Sequence, residues 1–222
     1  MRKAIAFLAL LLACAIPAVC ETVQTIRAPI WVYLETVPGS RSPEEAKKAK
    51  PPIQELDDLA RFIMGGMVYG WKFSYTPSDK TRKVEESFSM EPLGIIARND
   101  PRFSLTELVP DYPRLYCWAQ FNVDETLARW TSYWSSVLFK SARGQGRGER
   151  SQEAAGIRTA YENAVKQAVR DHERKLEKNK PKEIQGEVLL RDSPRLFVDE
   201  GWFVADVRLT VSIREIIPYS TF

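Results

Sequence analysis

The residues able to do chemistry are few. His172 is the only histidine, and the three cysteines are Cys14, Cys20 and Cys117. Cys14 and Cys20 fall inside an N-terminal export segment, so the mature chain keeps Cys117 alone. One histidine and one cysteine exclude zinc sites built from those ligands, and one cysteine excludes an intramolecular disulfide. Ser/His/Asp catalysis would have to use His172, and no G-x-S-x-G nucleophile elbow occurs. His172 lies on the apolar seam of a long helical pattern, where packing or capping is the expected role. Cys117 lies in an alternating apolar run, where a buried thiol acts as a small hydrophobe. Acid–base chemistry needs only two carboxyl groups at a suitable separation. Glu85, Glu86, Asp199 and Glu200 stand nearest to strand ends and turns, where acids usually serve solvation, and Glu86 reads as an exposed edge residue. The expectation is a non-enzyme with no catalytic residue, cofactor or metal. A periplasmic hydrolase-type enzyme using paired carboxylates is the alternative.

Two further patterns bear on binding. Ser141–Arg150 reads S-A-R-G-Q-G-R-G-E-R, with three glycines at alternate positions. Arginine and glycine together can bind phosphate. However, no Lys-Ser/Thr follows as in a P-loop, and the spacing is not that of a dinucleotide fingerprint. The stretch therefore predicts a flexible solvated connection. Aromatic residues are the stronger lead. Tyr116 and Trp118 oppose the apolar set of their strand, and Trp202 opposes Phe203, so these three form the candidate partner surface.

The N-terminus supplies the compartment. Arg2 and Lys3 precede an uncharged apolar run through Ile16, Pro17 breaks it, and Ala18-Val19-Cys20 places small residues before Glu21. This is the layout of a secretory signal peptide over residues 1–20, too short for a comfortable membrane span. Leu11-Leu12-Ala13-Cys14 also resembles a bacterial lipoprotein signal, making Cys14 a candidate lipidation site. Leu12 departs from that pattern, and the soluble cleaved form is the preferred reading. Removing Arg2 and Lys3 takes the formal charge from +3 to +1 (3 − 2). A nearly neutral chain lacks the global field that nucleic acid binding uses. No second apolar run is long enough for a transmembrane helix.

The elements that would position these residues follow from periodicity. Ile30–Leu34 reads as a first strand, followed by a solvated linker over 38–50, so residues 21–50 form an N-terminal strand and linker. Pro51-Pro52 opens a helix with its apolar stripe at Ile53, Leu56, Ala60, Ile63 and Met67, and Gly65-Gly66 is expected to end it. In Val68–Thr76, Tyr69, Trp71, Phe73 and Tyr75 fall at every second position and predict a strand with one aromatic face. That ladder is expected to be core, covered by the preceding helix, and residues 68–90 read as a hairpin. Residues 92–113 show no lasting period. Arg114–Val123 is a strand with Leu115, Cys117, Ala119, Phe121 and Val123 on one face. Asp124 caps a helix in which Leu127, Trp130, Trp134, Val137 and Leu138 share a side. Ser151 starts the longest helix, rich in alanines that permit close approach to a sheet. Ile184–Arg191 is a strand, and Asp199-Glu200-Gly201 reads as a three-residue hairpin loop. In the last strand Phe203 to Ile213 alternate inward, while Asp206 to Arg214, with Thr210 and Ser212 among them, alternate toward solvent.

The Ala-rich helix Ala154–Val169 followed by E-G-W-F-V-A-D-V-R-L-T-V resembles a secreted α+β module. Such modules occur in small bacterial outer-membrane lipoproteins and in the N-terminal domains of flagellar accessory proteins. The resemblance covers about the last third of the chain and implies a non-catalytic role in envelope assembly, without assigning site residues. The whole predicts an α+β fold over 51–222, with antiparallel sheets packed by two or three helices in helix-then-hairpin units. Two packed halves, 51–140 and 151–222, are an alternative division. The expected function is binding or scaffolding, periplasmic or envelope-associated. The partner would be an envelope protein or a second copy of the chain, and no nucleic acid.

Overall fold

The computed structural model describes residues 24–35, 49–176 and 180–219. The signal segment, Cys14, Cys20 and most of the 38–50 linker lie outside the described residues. The fold is α+β, with two antiparallel sheets and three helices among the described residues. β1 (Gln24–Tyr33), β4 (Phe103–Asp111) and β5 (Arg114–Val123) form a three-stranded sheet in the order β1-β5-β4. The larger sheet joins β2 (Trp71–Thr76), β3 (Ser87–Pro92), β6 (Lys140–Glu149), β7 (Glu183–Leu190), β8 (Arg195–Asp199) and β9 (Trp202–Ile217). Its order is β3-β2-β7-β9-β6, with β8 continuing beyond β7 along the same edge of β9. β2 therefore pairs with β7, and the two sequence halves share one sheet.

Helix α1 (Pro52–Val68) packs against β1, β5 and β7 and so lies between the sheets. That position buries more than one stripe: Leu56, Leu59, Ala60, Ile63, Met64 and Met67 are all covered, whereas Ile53, placed on the stripe by its spacing, is 43% exposed. The helix does not stop at Gly65-Gly66. A Cβ on Gly66 would stand 2.1 Å from the Trp71 ring, so this glycine admits the indole against the helix. The aromatic strand consequently begins at Trp71, and Tyr69 is the C-cap of α1. Trp71, Phe73 and Tyr75 are buried as expected of core. Segment 92–113, which shows no period, contains β4, whose pairing with β5 breaks between Thr106 and Val109. The irregularity hides the alternation.

The largest departure is at residues 140–149. The expected flexible loop is strand β6, paired with β9 over all ten residues. Its glycines face α3 (Glu153–Leu176), which follows a 3-10 turn at Arg150–Gln152. A Cβ on Gly144 would lie 2.1 Å from the Ala164 carbonyl oxygen. On Gly146 it would lie 2.1 Å from the Ala164 nitrogen, and on Gly148 1.9 Å from the Gly156 carbonyl oxygen. Gly156, Ala160, Ala164 and Ala168 recur every four residues along α3. Two strand residues advance ~6.8 Å and four helix residues ~6 Å, so the small-residue ridge and the glycine row stay in step. Backbone meets backbone, and mobility is the wrong inference from these glycines.

The turn between β8 and β9 has two residues, Glu200 and Gly201, both at positive φ (47° and 81°), with Asp199 paired to Trp202. This is the type I′ geometry of a tight hairpin, shorter than the expected three-residue loop. Helix α2 (Glu125–Trp134) is capped by Asp124, which accepts a hydrogen bond from the Leu127 N–H. It ends at Trp134, its one buried residue, so Val137 and Leu138 leave the helix and are 90% and 76% exposed. Trp134 lines a pocket of about 360 Å³ with Leu189 and Thr210 on the face of the large sheet opposite α3. Thr210 and Ser212, expected in solvent, are buried there.

Candidate functional site

An apolar cleft of about 400 Å³ lies where α1, the first turns of α3 and the segment after β3 converge. Phe62 on α1 packs against Trp71, which opens β2; their ring centroids are 5.2 Å apart. Met90 from β3 completes the floor, and Ile95 stands at the rim 80% exposed. Arg61 grips Asp57 through two nitrogens and donates to the Ala97 and Arg98 carbonyls at 2.5 and 3.3 Å, pinning the rim segment to α1. Arg158 lies over the Phe62 ring at 4.4 Å and 3.7 Å from Glu162. Arg98 reaches Asp58 at 3.2 Å yet remains 73% exposed. The hydrogen bond from Lys50 holds the Asp58 carboxyl below the usual carboxylate range, with Lys50 and Arg98 charge adding to it against partial desolvation. The cleft thus offers an apolar floor and a rim of arginines, with the Asp58 carboxyl held low by its cations. That chemistry suits binding an amphipathic segment.

The sequence-predicted aromatic surface divides between two sheets. Tyr116 and Trp118 share the face of β5 turned from α1 and are half-buried. Arg27 covers Trp118 at 4.8 Å, and Arg114 donates to the Tyr116 hydroxyl at 3.0 Å. Beside them Trp31 is buried, with Arg114 4.1 Å above its ring and its Nε1 donating to the Leu196 carbonyl at 3.4 Å. Trp202 is 39% exposed on the large sheet, beside the β8–β9 turn. Tyr116 and Trp118 are therefore one surface and Trp202 another.

The acids are likewise dispersed. Glu86 is half-buried, not exposed as expected: it accepts a hydrogen bond from the Tyr75 hydroxyl at 2.8 Å and faces Arg170 at 3.6 Å. Burial comes first and Glu86 second in pushing the Tyr75 phenol well above its ordinary value. Asp199 and Glu200 both pair with Arg147 at another hairpin. His172 is buried on α3, and burial pushes the Cys117 thiol up to about 11. Among the described residues, no group of three or more His, Cys, Asp or Glu side chains is placed to hold a metal, and no helix is long and apolar enough to cross a membrane.

A protein-family model matches residues 14–219, nearly the whole length. The chain belongs to that family. A relative described as an uncharacterized protein of Treponema pallidum (strain Nichols) is 40% identical over 198 residues, covering 89% of this chain and 83% of its own length. No solved structure matches. The matched span contains every element that builds the cleft. Sequence reasoning missed the cleft because its residues come from four segments. The available signal was Leu93, Ile95 and Ile96, apolar residues in a stretch too short to show a period.

Proposed function

We propose that this family member is an exported, non-catalytic binding module of the cell envelope. In this reading the α1–α3 cleft takes an amphipathic segment of an envelope protein. Apolar side chains of the partner would cover Phe62, Met90 and Ile95, and an acidic group would meet Arg98. The observation that carries the reading is the rim: Ile95 is 80% exposed over a floor of rings, beside an arginine that is mostly free to solvent. Burying such a side chain contributes about 1.5–3 kcal/mol. Export rests on the signal layout of residues 1–20, and the N-terminus is Glu21 in the soluble form or an acylated Cys14 in the anchored one. Mass measurement of the native N-terminus distinguishes them.

The test is site-specific photocross-linking in intact cells. A photoreactive residue at position 95 should give one defined protein adduct, and Ile95→Asp should abolish capture through a second probe at position 93. The same probe at position 145, on the outward side of β6, should not give that adduct. An adduct of twice the chain's mass would identify self-association. A lone monomer from every position would overturn the proposal.

A further inference from the structure

The lobe formed by α2 and residues 135–139 carries a second surface, remote in chemistry from the cleft. Between Arg129 and Lys140 the sequence W-T-S-Y-W-S-S-V-L-F has no charge. Its rings form one cluster. Trp134 stacks on Phe139 at 4.9 Å, and Tyr133 meets Phe139 edge-on at 5.0 Å. Trp130 contacts Tyr133 and Trp134 at 6.2 and 5.8 Å. Ahead of this collar Val137 and Leu138 project 90% and 76% exposed, and Tyr133 is 46% exposed. The Nε1 groups of Trp130 and Trp134 and the Ser136 hydroxyl are buried with no hydrogen-bond partner among the described residues. Arg129, 74% exposed and 3.6 Å from the exposed Glu125, and Lys140, also exposed, flank the lobe at its two ends.

We infer that this lobe is a lipid-surface contact: Val137 and Leu138 enter the acyl boundary of a bilayer and the Trp130–Tyr133 collar sits at headgroup level. Three observations select lipid over protein. The exposed apolar tip is two side chains, far below the ~800 Å² per partner of a stable protein interface. Behind it Tyr133, 46% exposed and backed by the Trp130 ring, is an amphipathic aromatic of the kind that concentrates at membrane interfaces. An exposed cation stands at each end of the uncharged run, Arg129 only loosely opposed by Glu125, and anionic headgroups attract cations so placed. The contact is independent of the cleft and of any acyl anchor, so either reading can fail alone.

The experiment uses the chain from Glu21 onward, which contains every described residue and lacks Cys14. It is sedimented with vesicles of phosphatidylglycerol and phosphatidylethanolamine, and with vesicles of phosphatidylcholine alone. Binding to the anionic vesicles, weaker by about tenfold on phosphatidylcholine, is the expected result, with quenching of tryptophan emission by brominated acyl chains. The double variant Val137→Asp/Leu138→Asp should lose about 100-fold or more in partitioning with unchanged circular dichroism and Tm. Ile95→Asp should bind vesicles like the unaltered chain. Absence of vesicle binding, or equal binding by the double variant, would overturn the inference. So would cross-links from position 137 that reach one protein and no lipid in native membranes.

Discussion

The two faces of the large sheet are covered in opposite ways. On one face α3 lies on β6 so closely that glycine backbone meets alanine and glycine backbone, with no side chain between. On the other, the α2 lobe reaches the sheet through Trp134 and leaves much of its own surface in solvent. The first contact is made by removing atoms and the second by adding a large one. A backbone contact has no rotamer with which to yield, whereas a lobe whose one fully buried side chain is Trp134 can part from the sheet while the strands remain paired. The contrast predicts where the molecule is rigid and where it can open.

Three measurements test this contrast. The largest effect should come from Gly146→Val, whose added atoms have only the backbone of Ala160, Asn163 and Ala164 to displace. A loss of about 3 kcal/mol or more in urea unfolding is expected, while Gln145→Val, one residue away and exposed, should stay within about 0.5 kcal/mol. Equal effects would show that α3 is not seated on the glycine row. Next, Trp134→Ala should cost about 2 kcal/mol, below the ~3–5 kcal/mol of a central tryptophan. Hydrogen exchange should show protection lost over residues 125–134 and kept over 157–169; loss at both would mean that the lobe is integral to the core. Smallest should be the effect of mild acid. Arg102 binds Asp100 and Asp124 at 2.8 and 2.7 Å and joins the start of β4 to the cap of α2. The Arg102 hydrogen bond holds Asp100, and the Leu127 N–H holds Asp124, below the ordinary 3.8. Folded values depressed below unfolded ones give stability that is present above about pH 4 and lost as pH falls through the folded values. Exchange at pH 3 should therefore rise over α2 before it rises over α3, and simultaneous opening would refute the Arg102 clamp.

Much of this architecture could be read from residues alone. Alternation at 114–123 and 203–211 reports a buried strand face directly, and Asp124 was legible as a cap because its spacing to Leu127 is local. What failed had a common physical cause. Glycine at 144, 146 and 148 states only that a side chain is absent; whether the space is filled by solvent or by a helix depends on residues 156–168. Gly66 posed the same ambiguity, with Trp71 as the answer. The β4 alternation was masked where its pairing with β5 shifts register. The aromatic alternation at 116 and 118 was visible, but the arginines covering those rings come partly from β1. The cleft was illegible because Phe62, Met90, Ile95 and Arg158 become neighbours only after folding.

The register of α3 on β6 also dictates how this stretch of the gene can vary. Positions 143, 145 and 147 present their side chains away from the helix, and 144, 146 and 148 present none. A scan of every substitution from 143 to 148 should read as a comb, with permissive teeth at odd numbers and forbidden gaps at even ones. A compensating change in α3 could not reopen a gap, because its ridge at 156, 160, 164 and 168 is already glycine or alanine, and the atoms in the way are those every amino acid shares.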